Sequence, residues 1–201
     1  MSTPGSLAEW NPGLDGPTTL RAAYDEMPGD DASVIPWRVK LLENPASPVA
    51  LPGAVDLFGH DCIHIVLGRG TLPQDEAFVV GATMGASGEL AGWQQQLFKM
   101  WARRTYRGAF RLSRTDLQVF DLAVEFARGG RVKPLHRVAW RDLLDQPLDE
   151  IRTSLGIDTA RLIAVYEAER ALWPLSSAAQ RLPRSSAAVT APGPDASPWT
   201  Q

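Results

Sequence analysis

Residues 59–81 read GHDCIHIVLGRGTLPQDEAFVVG, two apolar runs on either side of a Gly68-Arg69-Gly70 break, with histidines and acids set inside them. Ala54 to Leu67 and Pro73 to Met84 have the length and apolar content of helices, and the glycine pair reverses the chain between them. Thr71 is placed to cap the returning helix. Pro73 suits its first turn, where a missing amide hydrogen is no loss. The expectation is an antiparallel helical hairpin.

On such a hairpin His60 and His64, four apart, project from one face, and Asp61, three before His64, borders it. Glu76, early in the returning helix, comes back across from them. Two helical histidines at this spacing can hold zinc through neutral imidazole nitrogens, and an oxygen ligand from a second element commonly joins them. Each residue also has an ordinary reading. A single half-buried histidine is usually a hydrogen-bonded core residue, and Asp75 with Glu76 suits the positive end of a helix dipole. Together they point to a metal. The chain has only three histidines, and burying two of them beside an acid without a cation or hydrogen-bond partners carries a desolvation penalty of several kcal/mol.

Outside the hairpin the chain continues to read as helices punctuated by Pro and Gly. Thr18 to Met27 carries Leu20, Ala23, Tyr24 and Met27 at three-and-four spacing. WRVKLLEN follows Pro36 and stops before Pro45. Leu90 to Tyr106 and Thr115 to Arg128 come next, the second ending at Gly129-Gly130. Pro147 opens PLDEIRTSLG with acids in its first turn, and Asp158 caps a last helix to Leu172. Alternating strand patterns are nearly absent, so the fold class is all-α, a compact multi-helix single domain. Residues 1–17, rich in Gly, Pro and Ser, read as a flexible N-terminal arm. Residues 18–176 read as the folded domain, and 177–201, dominated by the LPRSSAAVTAPGPDASPWTQ run from Leu182, as a disordered tail.

Composition narrows the function classes. The chain has 201 residues, 44% of them hydrophobic, enough for one core but not for two full domains. A net charge of −3 with mixed signs gives no mark of the concentrated basic face that nucleic acid requires, so DNA or RNA binding is not expected. A single cysteine, Cys62, rules out a disulfide framework and fits a reducing compartment. No apolar run approaches the roughly 20 residues of a membrane span. MSTPGSLAEWNPGLDGP has neither the order of a secretion signal nor the arginine-rich character of a transit peptide. The expectation is a soluble, cytoplasmic protein that could still touch a membrane surface.

His60-Asp61-x-x-His64, eleven residues, then Glu76 resembles the H-D-x-x-H…E signature of the coenzyme Q (ubiquinone) biosynthesis protein four family. A second stretch, WRDLLDQPLDEIRTSLGI from Trp140 to Ile157, is similar to that family's C-terminal block, and the likeness covers most of residues 18–170. The resemblance implies an all-helical, often dimeric protein holding a divalent metal, usually zinc, with His60, Asp61, His64 and Glu76 as ligands. It also implies action on a polyprenylated aromatic ring, replacing the C1 carboxylate by a hydroxyl as a lyase or decarboxylase of a 4-hydroxy-3-polyprenylbenzoate-type precursor. Partner enzymes of quinone biosynthesis and a membrane surface are implied as well. Gly59 and Cys62 depart from the family's usual Arg before the first His and Leu-Tyr within the motif.

Four protein ligands would close a tetrahedral zinc site, whereas catalysis needs an open position. Either Asp61 or Glu76 is displaceable or outside the first coordination sphere, or the coordination number is higher. Zinc does not change redox state, so oxygen insertion would need electrons from the substrate or another metal. For an isoprenoid substrate, Trp93, Leu97, Phe98, Met100 and Trp101 could line an apolar groove, the alternative being core and surface contacts. Arg103, Arg104, Arg107 and Arg111 could meet an acidic ring or anionic headgroups, or form a solvated helix end. Cys62 faces away from the histidines, and His136 reads as a surface or interface residue. The rival function is a non-catalytic scaffold or lipid-binding protein that presents prenylated intermediates around a structural metal. A phosphate-ester hydrolase ranks third, since such sites take further histidines and only His136 remains.

Overall fold

Helix starts in this chain are set by side chains that accept from amides lacking an intrahelical partner. Thr19 accepts from Ala22 ahead of α1 (Leu20–Asp25), and Asp56 from Gly59 ahead of α2 (Leu57–Leu67). Pro73 begins α3 (Pro73–Ala86), and α4 (Gly92–Thr105) follows. Ser113 and Asp116 exchange reciprocal bonds at the start of α5 (Arg114–Gly130). After α6 (Leu148–Ser154), Asp158 accepts from Ala160 and Arg161 to open α7 (Thr159–Leu172), and Ser176 accepts from Ala179 to open α8 (Ser177–Arg181). The structure, a computed structural model, describes residues 10–14, 18–28, 52–105 and 112–184, with backbone only at 101–105. Among these residues there are helices, turns and one isolated bridge between Thr19 and Pro147, and no strand. The fold is all-α, as the periodicity predicts, although the expected helix at WRVKLLEN lies outside the described residues.

Packing places the hairpin at the centre. α2 lies against α1, α3, α6 and the short 3₁₀ turn Trp140–Leu143. Cys62, Ile63, Ile65, Val66 and Leu67 of α2 join Phe78 and Val79 of α3 in a core shared with Ile151, Leu162 and Tyr166. α3 makes its closest approach to α5, through Gly81 and Gly85. A Cβ at these positions would stand 2.5 Å from the Phe120 carbonyl oxygen and 2.7 Å from that of Val124. The glycines let the two backbones pass at a distance no side chain permits. A second cluster, with Ala77, Met84, Leu117, Phe120 and Val124, receives Phe98 from α4.

The glycine pair ends α5 as predicted: Gly130 is its last residue, the Arg161 guanidinium occupies the space where side chains at Gly129 and Gly130 would be, and Arg131, in the left-handed region at φ 55°, caps it. Two boundaries of the folded region differ from the sequence reading. Residues 10–14 are packed rather than loose: Leu14 is buried, Trp10 lies on the core, and the Asn11 amide donates to the Arg181 carbonyl at 3.0 Å. The folded region also runs past 176. Ala178, Ala179 and Leu182 are buried, and Arg170 donates to the carbonyls of Leu182 and Pro183. Their low apolar content hid this, because two alanines and a leucine are buried without showing a helical stripe.

Candidate metal centre

The hairpin turn is built to end α2 sharply. Gly68 takes the left-handed conformation (φ 64°, ψ 35°), its amide donates to the Ile65 carbonyl, and the Arg69 amide to that of His64. This is the glycine-terminated helix end in which two otherwise free carbonyls are satisfied from just beyond the helix. The next two carbonyls are met from elsewhere in the chain. Arg152 Nε donates to Val66 at 2.8 Å, and the Tyr166 hydroxyl donates to Leu67. Arg152 belongs to the Trp140–Ile157 block, so that block closes the end of the histidine helix. Leu72, not Thr71, stands at the start of α3. Its amide donates to Asp75 Oδ2 at 3.2 Å.

His60, His64 and Glu76 converge. His60 Nε2 lies 3.0 Å from Glu76 Oε2 and 3.0 Å from His64 Nε2, and His64 Nε2 lies 3.3 Å from Glu76 Oε1. His64 Nδ1 donates to the Gly70 carbonyl at 2.7 Å. A neutral His64 therefore carries its lone pair on Nε2, facing the other two donors. That lone pair faces His60 Nε2 at 3.0 Å and Glu76 Oε1 at 3.3 Å, an arrangement that either a proton donated by His60 or a metal ion can satisfy. The chemistry of the set fits a metal. Donors held at about 2.0–2.1 Å from a tetrahedral zinc stand about 3.3 Å from one another, and the three separations are 3.0, 3.0 and 3.3 Å. Burial is graded across the site. The side chain of His64 is 1% exposed, that of His60 13% and that of Glu76 37%, so the set opens to solvent past the carboxylate. Burial works against ionisation of Glu76, but the neighbouring His64 and His60 outweigh it and hold the carboxyl below the usual carboxylate range.

Asp61 is outside this group. Adjacent residues on a helix point about 100° apart, so sharing a border with His64 does not turn its carboxylate toward the centre. Its charge acts on Tyr24 and Cys62 instead: burial, then Asp61, raises the pKa of both. Cys62 is buried in the core away from the donors, as its spacing predicts. Compared with models of known protein families, with curated proteins and with solved structures, the chain matches none.

The expected groove residues divide. Phe98 stacks on Phe120 with ring centroids 4.7 Å apart inside the second cluster, which is the ordinary core role. Trp93, Leu97 and Met100 point outward, 68%, 39% and 47% exposed, and form an apolar strip on α4. Trp101 and Arg104 lie in the α4 backbone with side chains outside the described residues, as does Arg103, while Arg107 and Arg111 fall outside altogether. His136 is half-buried on the 3₁₀ turn Leu135–Arg137. Among the described residues no helix is long and apolar enough to cross a membrane.

Sequence reasoning missed the groups behind the donors. Arg69, Asp75 and Glu169 are all buried beneath the turn, paired with one another and with Gln74 and Arg181. One signal was readable. Leu162, Tyr166 and Glu169 fall at i, i+4 and i+7 of α7 and form its buried stripe, so an acid occupies a core position and requires a buried partner.

Proposed function

We propose that this chain is a metal-dependent protein of ubiquinone or related prenylated-quinone biosynthesis, acting on the C1 carboxylate of a polyprenylated hydroxybenzoate. The observation that carries the reading is the convergence of His60, His64 and Glu76, spaced as in the H-D-x-x-H…E signature, into a three-donor set open on one side. Three donors, not four, leave the position that a substrate oxygen needs. When bound, a divalent ion would supply Lewis-acid neutralisation of the ring carboxylate, while hydroxylation at the same carbon is an oxidation that zinc, lacking a redox change, leaves to dioxygen or to a redox-active metal. The protein's own part is positional: His64 is fixed from behind by Gly70, and Glu76 keeps its negative charge at the solvent-facing edge. The exposed strip of Trp93, Leu97 and Met100 supports the associated partners: an isoprenoid chain, a membrane surface at the cytoplasmic face, a second copy, or other enzymes of the pathway.

The test begins with metal content by mass spectrometry on protein purified without chelators or an affinity tag. Wild type and Asp61→Ala are expected to carry near-stoichiometric metal, and His64→Ala and Glu76→Ala to lose it. Loaded protein is then incubated with a short-chain 4-hydroxy-3-prenylbenzoate and assayed for loss of carbon dioxide. Folded wild type without metal would overturn the reading. Bound metal without turnover would move it to the scaffold alternative, in which the same site is structural.

A further inference from the structure

Beside the donor set lies a second group of charges, made up of other residues. Arg69, Asp75 and Glu169 are each 0% exposed. The Arg69 guanidinium sits between two rings, 3.8 Å from the centroid of Phe78 and 4.4 Å from that of Tyr166. It donates to both oxygens of Glu169, at 3.0 Å from Nη1 to Oε1 and through Nη2 to Oε2, and its Nη1 lies 3.4 Å from Asp75 Oδ1. Gln74 donates to Glu169 at 2.6 Å and accepts from Ser176, and Arg181 reaches Asp75 Oδ2 at 3.2 Å.

Stability alone does not account for these charges. Apolar residues of similar volume in place of a buried ion pair are often neutral or stabilising, because pairing rarely does more than offset desolvation. Location does account for them. Arg69 stands between Gly68 and Gly70, and Gly70 supplies the carbonyl that accepts from His64 Nδ1. Asp75 immediately precedes Glu76. One guanidinium, clamped from α7, therefore grips the chain next to the histidine's partner and next to the carboxylate ligand.

We infer that the Arg69–Glu169 pair positions the metal centre: it holds the Gly70 carbonyl against His64, fixing the tautomer with the lone pair on Nε2, and through Asp75 it sets the start of the helix that carries Glu76. Arg69 and Glu169 are positioning residues, not ligands. The inference deepens the metal reading proposed above and rests on it for its purpose. Its first readout needs no metal.

The experiment compares wild type, Glu169→Gln and Gln74→Met. The histidines are labelled with nitrogen-15, and long-range proton–nitrogen spectra of the metal-free protein report the tautomer of each ring, with His64 assigned from His64→Ala. Cobalt(II) is then titrated and its visible absorption followed. Wild type should show a single Nδ1–H tautomer at His64. Glu169→Gln should show mixed tautomers and cobalt affinity weaker by about 10- to 100-fold, as for other partners of metal-binding histidines. Gln74→Met loosens Glu169 without unpairing a charge and should shift both readouts in the same direction by less, so it decides the matter if Glu169→Gln does not fold. Leu155→Ala, a core lesion away from the network, should leave both at the wild-type values. An unchanged tautomer and affinity in a folded Glu169→Gln or Gln74→Met would overturn the inference. Wild type that takes no cobalt would remove the metal reading, while the tautomer comparison still decides whether the pair positions His64.

Discussion

Cys62 shows how much position outweighs sequence proximity. It lies two residues from one candidate ligand and two from the other, yet its thiol is buried on the opposite side of α2, and burial, followed by the charges of Asp61 and Asp56, pushes its pKa up to about 12. A thiol held protonated and out of solvent is a poor nucleophile and a poor ligand. Native protein should therefore react with Ellman's reagent only as fast as it opens, and one thiol should appear promptly in urea. Rapid stoichiometric labelling of folded protein would contradict the burial. The sign of the pH effect follows from the same shift. The folded thiol titrates above its ordinary value of 9.0, so stability drawn from the neutral form is intact below that pH and is lost as pH rises toward about 12. Urea midpoints over that range should fall faster for wild type than for Cys62→Val. At this scale the sequence was legible where two residues share a helix face, as His60 and His64 do. It misled where adjacency stood in for direction, as at Asp61.

Between elements, two different devices hold the hairpin in place. The first is the close crossing of α3 and α5. Gly81→Ala would place a methyl group 2.5 Å from a backbone oxygen of Phe120, a contact that no side-chain rotation relieves. Alanine's helix propensity contributes up to about 1 kcal/mol in its favour, but overpacking of this kind costs about 1–3 kcal/mol, and the clash with backbone decides the sign. Gly81→Ala should lower the thermal midpoint. Gly92→Ala, at the start of α4 with nothing within 4 Å of its added carbon, should instead raise stability by up to about 1 kcal/mol. If both substitutions shifted the midpoint in one direction, the crossing would not be the reason for Gly81. The second device is Arg152, which is buried and donates to Val66 and, at 3.2 Å, to Leu14. Arg152→Met would leave two buried carbonyls short of a charged donor. At about 1.5–3 kcal/mol for a hydrogen bond to a charged group, the urea midpoint should drop clearly with little change in slope. Retained stability would mean that other donors satisfy the end of α2.

For the molecule as a whole, the helices and the hairpin were readable because each carries its own stripe, cap or glycine stop. What closes the fold was not, since it depends on segments with almost no pattern of their own. Residues 10–14 and 177–182 read as tails by composition, yet both meet at the hairpin turn. A Cβ on Gly70 would stand 2.6 Å from the Trp10 carbonyl oxygen and 3.2 Å from Arg181 Nη2, and one on Gly68 would stand 2.6 Å from the Gly13 carbonyl oxygen. No local rule finds a contact between positions 11 and 181. The partners become neighbours only after α7 has docked, so the turn that supports the metal donors is finished by the two ends of the described chain. Truncation after Ser176 tests this closure. It uncovers the surface beneath Ala178, Ala179 and Leu182 and removes Arg181 from Asp75 and the carbonyl partners from Arg170. Burial of Leu182 alone contributes about 1.5–3 kcal/mol, and the lost bonds to charged groups add to it. The truncated chain should therefore unfold at clearly lower urea. Because Asp75 precedes Glu76, it should also bind cobalt more weakly even where it remains folded. Arg181→Gln, which leaves the apolar cover in place, should reproduce the weaker binding with a smaller loss of stability. A truncated chain that kept both wild-type properties would mean that α7 and the Arg69–Glu169 pair hold the turn without help from the C-terminal helix.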